Sequence, residues 1–237
     1  MSNLRIDKYV ADSSSLSRKE SAKAIRNGNV TVNGKTVTDV SYKVNTESDL
    51  LTLFGEAISY KENYYIMMNK PQGYLSATED KYDKTVIDLL SDELPKAKLF
   101  PAGRLDKDTE GFLFLTTDGQ MAHKITGPKN HIPKKYFVTL DLPLKNELIS
   151  FFKEGVTLET GEECKSAELE IIDEHNCHLT ITEGKYHQVK RMFAMYGLTV
   201  VYLKRVMIGG LILDNSLKSG EYRELTTDEV EKLCLKK

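Results

Sequence analysis

GRLDKDTEGFLFLTTDG, residues 103–119, passes from a charged turn directly into an apolar strand, and the fold is read outward from it. Asp106, Asp108 and Glu110 alternate ahead of Gly111, which imitates the start of a calcium loop. The later positions exclude that reading: counted from Asp106, the ninth residue is the apolar Phe114 and the twelfth is Thr117, where such a loop needs a bidentate Glu. A charged turn feeding a strand at 112–115 is left. Outward from it, apolar runs predict strands at 65–68, 136–140, 168–172, 178–181 and 200–203, and helices at 86–90, 144–153 and 187–196. Strands and helices do not alternate regularly, so the expected class is α+β with a mixed, largely antiparallel sheet and not a doubly wound parallel one. In the last helix Val189, Met192, Phe193 and Tyr196 recur at helical spacing, which assigns one face of it to the core.

The amino-terminal sixty residues read as a separate small unit. Ser17 is an N-cap for a helix over 18–27, with Gly28 just past its end. Asn33-Gly34 between β-branched runs is a strong hairpin signal over 30–37, and a strand follows at 50–54. Gly28 to Thr36 imitates a phosphate loop, but five residues separate Gly28 from Gly34 where the motif has four, and the segment reads as a hairpin. The polar stretch at 55–63 is the expected linker, so the predicted domains are 1–60 and 61–237.

With 237 residues, 40% hydrophobic and 29% charged, the chain has the composition of a globular protein with a sizeable core. No apolar run is long enough to span a bilayer and the start, MSNLRIDKYV, carries no secretory stretch, so a cytoplasmic protein without a membrane partner is expected. The three cysteines are scattered and form no zinc-ligand pattern, so they read as reduced and structural, with no metal site. A net charge of -2 is unlike the usual nucleic-acid binder, yet the basic residues cluster. Residues 1–45 and 182–205 each carry +4, and residues 119–140 hold four Lys and no acid. Basic surfaces can therefore coexist with an acidic total.

GRLDKDTEGFLFLTTDG resembles the signature of the RsuA-type pseudouridine synthases, and the likeness continues through MMNKPQGYLS, KKYFVTL, EGKYHQVKRMFAMYG and the tail from GEYRELT. LSRKESAKAIRNGNVTVNGKTV resembles an S4 domain, the RNA-binding module of that branch. The resemblance implies an S4-type unit followed by a catalytic domain that isomerises one uridine of small-subunit 16S rRNA, of the position-516 type, to pseudouridine. The substrate would be the rRNA or a small-subunit assembly particle, and the working form a monomer. The same reaction on 23S rRNA and a non-catalytic ribosome-assembly role are the competing readings. The base leaves through N1 and returns through C5, which consumes nothing, so no cofactor is expected.

By the same resemblance Asp106 is the nucleophile that holds a covalent intermediate while the base turns. Lys190, in HQVK, pairs with it and keeps it ionised against desolvation, as a point charge where many relatives carry an Arg fork. Tyr136 stacks on the extruded uracil near the C5 proton, and Arg104 fills the gap left by the base or grips its phosphate. His187 and Gln188 shape the pocket, and Arg191 meets phosphate. In the amino-terminal unit Arg18, Lys19, Lys23 and Arg26 on the short helix, with Arg5 and Lys43, form a phosphate-neutralising group.

Overall fold

The computed structural model describes residues 3–236. The chain forms two compact units, one running up to Tyr64 and including Leu90–Leu99, the other comprising Tyr65–Leu89 and everything from Phe100 onward.

The first unit contains β1 (Asn3–Arg5), α1 (Ile6–Asp12), α2 (Arg18–Arg26), β2 (Val30–Val32), β3 (Lys35–Thr36), β4 (Lys43–Asn45), β5 (Leu51–Leu53) and β6 (Glu56–Ile58). Helix α2 starts where the sequence predicts, in a full capping box: Ser17 Oγ accepts the Glu20 N–H, and the Glu20 carboxylate accepts the Ser17 N–H. Asn33 and Gly34 both have positive φ, as the two-residue β2–β3 hairpin requires. The antiparallel order is β3-β2-β5-β6, with β1 paired to β4 apart from it. Ile6, Tyr9, Val10, Ile25, Val30, Val44 and Leu51 fill the core between sheet and helices.

The predicted linker at 55–63 needs correction at its start, and the predicted second domain gives up one segment. Residues 56–58 are strand β6, turned back onto β5 by Phe54 and Gly55, both at positive φ. Phe is not a turn-forming residue, so this hairpin carried no sequence signal. Leu90–Leu99, inside the predicted domain 61–237, clusters with the first unit, where Lys98 Nζ bonds the Ala11 carbonyl and the Asp12 carboxylate.

The second unit contains β7 (Tyr65–Lys70), β8 (Phe100–Pro101), β9 (Glu110–Thr116), α3 (Gly119–Thr126), β10 (Lys134–Leu140), α4 (Glu147–Glu154), β11 (Val156–Thr157), β12 (Glu163–Cys164), β13 (Glu168–Ile171), β14 (Asn176–Ile181), α5 (Gln188–Ala194), β15 (Val200–Ile208), β16 (Leu211–Ile212), β17 (Tyr222–Glu224) and α6 (Thr227–Lys232). The main sheet runs β13-β14-β10-β15-β9-β7-β17, with β8 added to β9 and β16 to β15. Every pairing in it is antiparallel except β15 with β9, which makes the sheet mixed and largely antiparallel, as expected. The predicted helix at 86–90 is a single 3-10 turn, Val86–Leu89. On one sheet face Met67, Phe112, Phe114 and Ile208 pack with Ala122 and Ile125 of α3. In α5, Val189, Met192 and Phe193 are buried, as their spacing predicted, whereas the helix stops at Ala194 and leaves the fourth residue of that pattern, Tyr196, beyond its end and half-buried.

The register positions the chemistry. Leu179, Tyr136, Arg205, Gly111 and Lys70 are successive cross-strand partners from β14 to β7. Cross-strand partners project from the same face, so Tyr136, Arg205 and Lys70 share one side of the sheet. Gly111 keeps this row close. It has a φ of +99, and a Cβ there would overlap the Arg205 carbonyl across the parallel pairing.

Candidate active site

The turn at 103–109 lies between β8 and β9 and is clamped by the segment that follows β7. Buried Ser76 Oγ accepts the Leu105 N–H at 3.1 Å and donates to the Leu105 carbonyl at 3.0 Å, gripping both backbone groups of the residue before Asp106. The Gly73 N–H donates to the Lys107 carbonyl at 2.7 Å, and the Thr109 N–H closes the turn onto the Asp106 carbonyl at 3.0 Å. Beneath them Lys70 is fully buried, its Nζ donating to the carbonyls of Pro71, Asp106 and Thr109 at 3.0, 3.1 and 2.9 Å. Burial pulls its pKa down to about 8, against the opposing pull of Asp108, Asp106 and Glu110. Neither Lys70 nor Ser76 is marked out in the sequence as a site residue. A lysine ending an apolar strand was the signal available, because lysine is almost never fully buried unless its ammonium is held.

Above this base, Asp106 meets the amino-terminal end of α5. His187 Nε2 stands 3.5 Å from Asp106 Oδ1, and Lys190 Nζ 3.5 Å from Oδ2. The expected ion pair therefore exists, but Lys190 directs its hydrogen bonds to Asp108, at 2.6 and 2.8 Å. That contact is the main cause holding the Asp108 carboxyl below its usual range. In the sequence Asp108 stands out only as part of the excluded calcium-loop pattern, because a charged turn otherwise reads as solvated. The Asp106 side chain is 30% exposed, open enough to be reached yet flanked by an imidazole and an ammonium group.

The α5 entry is rigidly braced. His187 has a φ of 46°, the left-handed region, which places its ring beside Asp106. Gln188 is buried and lies back in the protein: its Nε2 donates to Glu183 Oε1 at 2.8 Å, and its Oε1 accepts the Lys185 N–H at 2.9 Å. Arg191 donates to Glu162, to Thr160 Oγ1 and to the Tyr186 carbonyl at 3.1, 2.6 and 3.1 Å. Gln188 and Arg191, expected at RNA, thus act as braces in this structure.

Tyr136 is buried on β10, on the sheet face from which Lys70 reaches the Asp106 turn. Its neighbour Arg205 is also buried and donates through Nε to the Phe112 carbonyl at 2.7 Å. Burial, assisted by Arg205, lowers the pKa of Lys134 to about 8. Arg104 is exposed on the turn itself.

In the first unit, Arg5 and Arg18 both close on the buried Asp7, at 3.1 and 3.3 Å. Burial alone would raise the Asp7 pKa, but the hydrogen bonds from the two guanidinium groups outweigh it and the net shift is downward. Lys19, Lys23, Arg26 and Lys43 are exposed. All six predicted cations are exposed, and two of them, Arg5 and Arg18, also hold the buried Asp7 carboxylate. Among the described residues no group of three His, Cys, Asp or Glu side chains is arranged to hold a metal ion, and no helix is long and apolar enough to cross a membrane.

Residues 64–195 match the family described as RNA pseudouridylate synthase, and residues 4–51 match the S4 domain. An uncharacterized RNA pseudouridine synthase of Bacillus subtilis (strain 168) is 50% identical, over 97% of this chain and 98% of that protein. The ribosomal small subunit pseudouridine synthase A of Haemophilus influenzae is 44% identical over 97% of this chain and 99% of its own, and that of Escherichia coli (strain K12) 42% over 96% and 98%. A crystal structure of pseudouridylate synthase, 44% identical, covers 97% of this chain and 99% of that one with a TM-score of 0.70.

Proposed function

The chain belongs to the RNA pseudouridine synthase family, in its RsuA-type branch with an amino-terminal S4 domain, and from that premise we propose that it converts one uridine of small-subunit 16S rRNA to pseudouridine. The target is a uridine of the position-516 type, in free rRNA or an assembly particle, and the enzyme works in the cytoplasm as a monomer. Near full-length likeness to two synthases named for the small subunit supports this choice over the large subunit.

In the reaction the N1–C1′ bond breaks, the base rotates, a C5–C1′ bond forms, and the C5 proton leaves while N1 gains one. Asp106 is the carboxylate that engages the nucleoside covalently during the rotation. The observation that carries this assignment is its position on a clamped turn, with Lys190 and His187 each 3.5 Å from a carboxylate oxygen. Lys190 balances two carboxylates, so the charge it offers Asp106 is tuned by how closely it holds Asp108. Tyr136 receives the extruded base on the face it shares with Lys70, and its phenol is the group closest in kind to a relay for the C5 proton. Arg104, exposed on the same turn, meets the RNA backbone or the space vacated by the base.

The test is a pseudouridine map of both rRNAs from cells with and without the gene. Loss of one 16S site is expected, and loss of a 23S site alone would overturn the small-subunit assignment.

A further inference from the structure

Tyr186 belongs to no part of the chemistry above, yet it is 74% exposed and lies in the same turn as His187. Its ring stacks on the His187 imidazole with centroids 3.8 Å apart and planes 20° from parallel. The backbone that carries it is fixed on both sides: the Arg191 guanidinium holds the Tyr186 carbonyl, and Gln188 holds the Lys185 N–H. His187 covers the inner face of the Tyr186 ring and leaves the outer one open. A pre-ordered aromatic face at the mouth of an RNA site suits a nucleic-acid base, since stacking needs a flat ring and little further loss of freedom.

We propose that the outer face of Tyr186 is a stacking platform for a base that flanks the target uridine, an inference that rests on the reading of this site as an RNA active site. Distance excludes the target itself from that position. His187 meets Asp106 through its ring edge, at 3.5 Å, and the Tyr186 ring covers its face, so a base on the outer side of Tyr186 has that whole ring between it and the imidazole that flanks the carboxylate, a place for a neighbour of the reacting base. The platform holds one neighbour out of the RNA stack while the target turns toward Asp106 and Tyr136. Because no phosphate is neutralised in this stack, its contribution is insensitive to salt, unlike that of the basic residues.

The experiment uses the full chain and an rRNA fragment spanning whichever uridine the pseudouridine map identifies, with 2-aminopurine in place of the nucleotide on either side of it. A 23S result in the map would alter the fragment and leave this test intact. Wild-type protein is expected to change the fluorescence at one flanking position in the manner of stacking on an aromatic ring. Tyr186→Leu should abolish that signal and raise KM by about 5- to 150-fold, the range that corresponds to removal of one base stack, with a smaller change in kcat and an unchanged salt slope. Tyr186→Phe should restore both signal and KM. A wild-type protein that leaves both flanking probes unaffected would overturn the proposal. So would a Leu variant that loses kcat at unchanged KM, since Tyr186 would then act only by steadying His187.

Discussion

Lys70 carries a charge into the interior of the second unit, where its ammonium group donates to the backbone carbonyls of Pro71, Asp106 and Thr109. Its consequence for stability has a definite sign. The pKa in the folded chain, about 8, lies below the ordinary 10.5, so the folded state releases this proton first. Between those two values the unfolded chain binds more protons, and stability from this group rises with pH. Relative to Lys70→Met, the wild type should therefore gain up to about 1.4 kcal/mol per pH unit from pH 8 toward 10.5, measured by urea denaturation at each pH. A flat difference would show that Lys70 is not buried as a cation. Asp106 is legible through the likeness of its segment, whereas Lys70, Ser76 and Asp108 are not, because each acts through a partner distant in sequence. Lys190 is legible with only the looser of its two acidic partners, since spacing in a sequence cannot rank two carboxylates two residues apart.

Elements were legible where the local signal and the tertiary demand agree. The capping box of α2, the Asn33-Gly34 hairpin and the apolar run of β9 are of this kind. Helix α1 escapes a sequence reading because Arg5 at its N-cap makes no side-chain cap bond, and α3 because a glycine follows its Asp118 cap at the first helical position. The pairing of β17 with β7 joins residues far apart in the chain, which no periodicity reports. The single parallel pairing, β15 with β9, is the most demanding joint, since it aligns the Asp106 turn with the strand that neighbours Tyr136. Gly111→Ala adds both an unfavourable φ and an overlap with the Arg205 backbone, and should destabilise the protein by roughly 2–4 kcal/mol in chemical denaturation. A change below about 0.5 kcal/mol, the ordinary range of a neutral surface substitution, would mean that the two strands can separate without cost.

For the whole molecule, the sequence showed the order of the two units but not the return of Leu90–Leu99 to the first, which depends on pairs such as Lys98 with Asp12. The first unit brings exposed cations to a chain whose total charge is -2. Lys19, Lys23 and Arg26 are exposed on α2 and make no ion pair to Asp7, which singles them out for testing the proposed contact with phosphate. Replacing those three by Ala should weaken RNA binding and flatten its salt dependence by roughly 0.7 to 0.9 log units for each phosphate that is no longer neutralised, whereas an unchanged slope would remove α2 from the RNA interface. The central claim, that Asp106 drives uridine isomerisation in RNA, is tested most directly with small-subunit rRNA carrying tritium at C5 of its uridines. Purified full-length protein should release tritium from one uridine per RNA without any added cofactor. The Asp106→Asn variant should bind that RNA as tightly and release tritium at least about a thousandfold more slowly. Release by the Asn variant within about tenfold of the wild-type rate, a deficit of no more than about 1.4 kcal/mol of transition-state stabilisation, would contradict the claim.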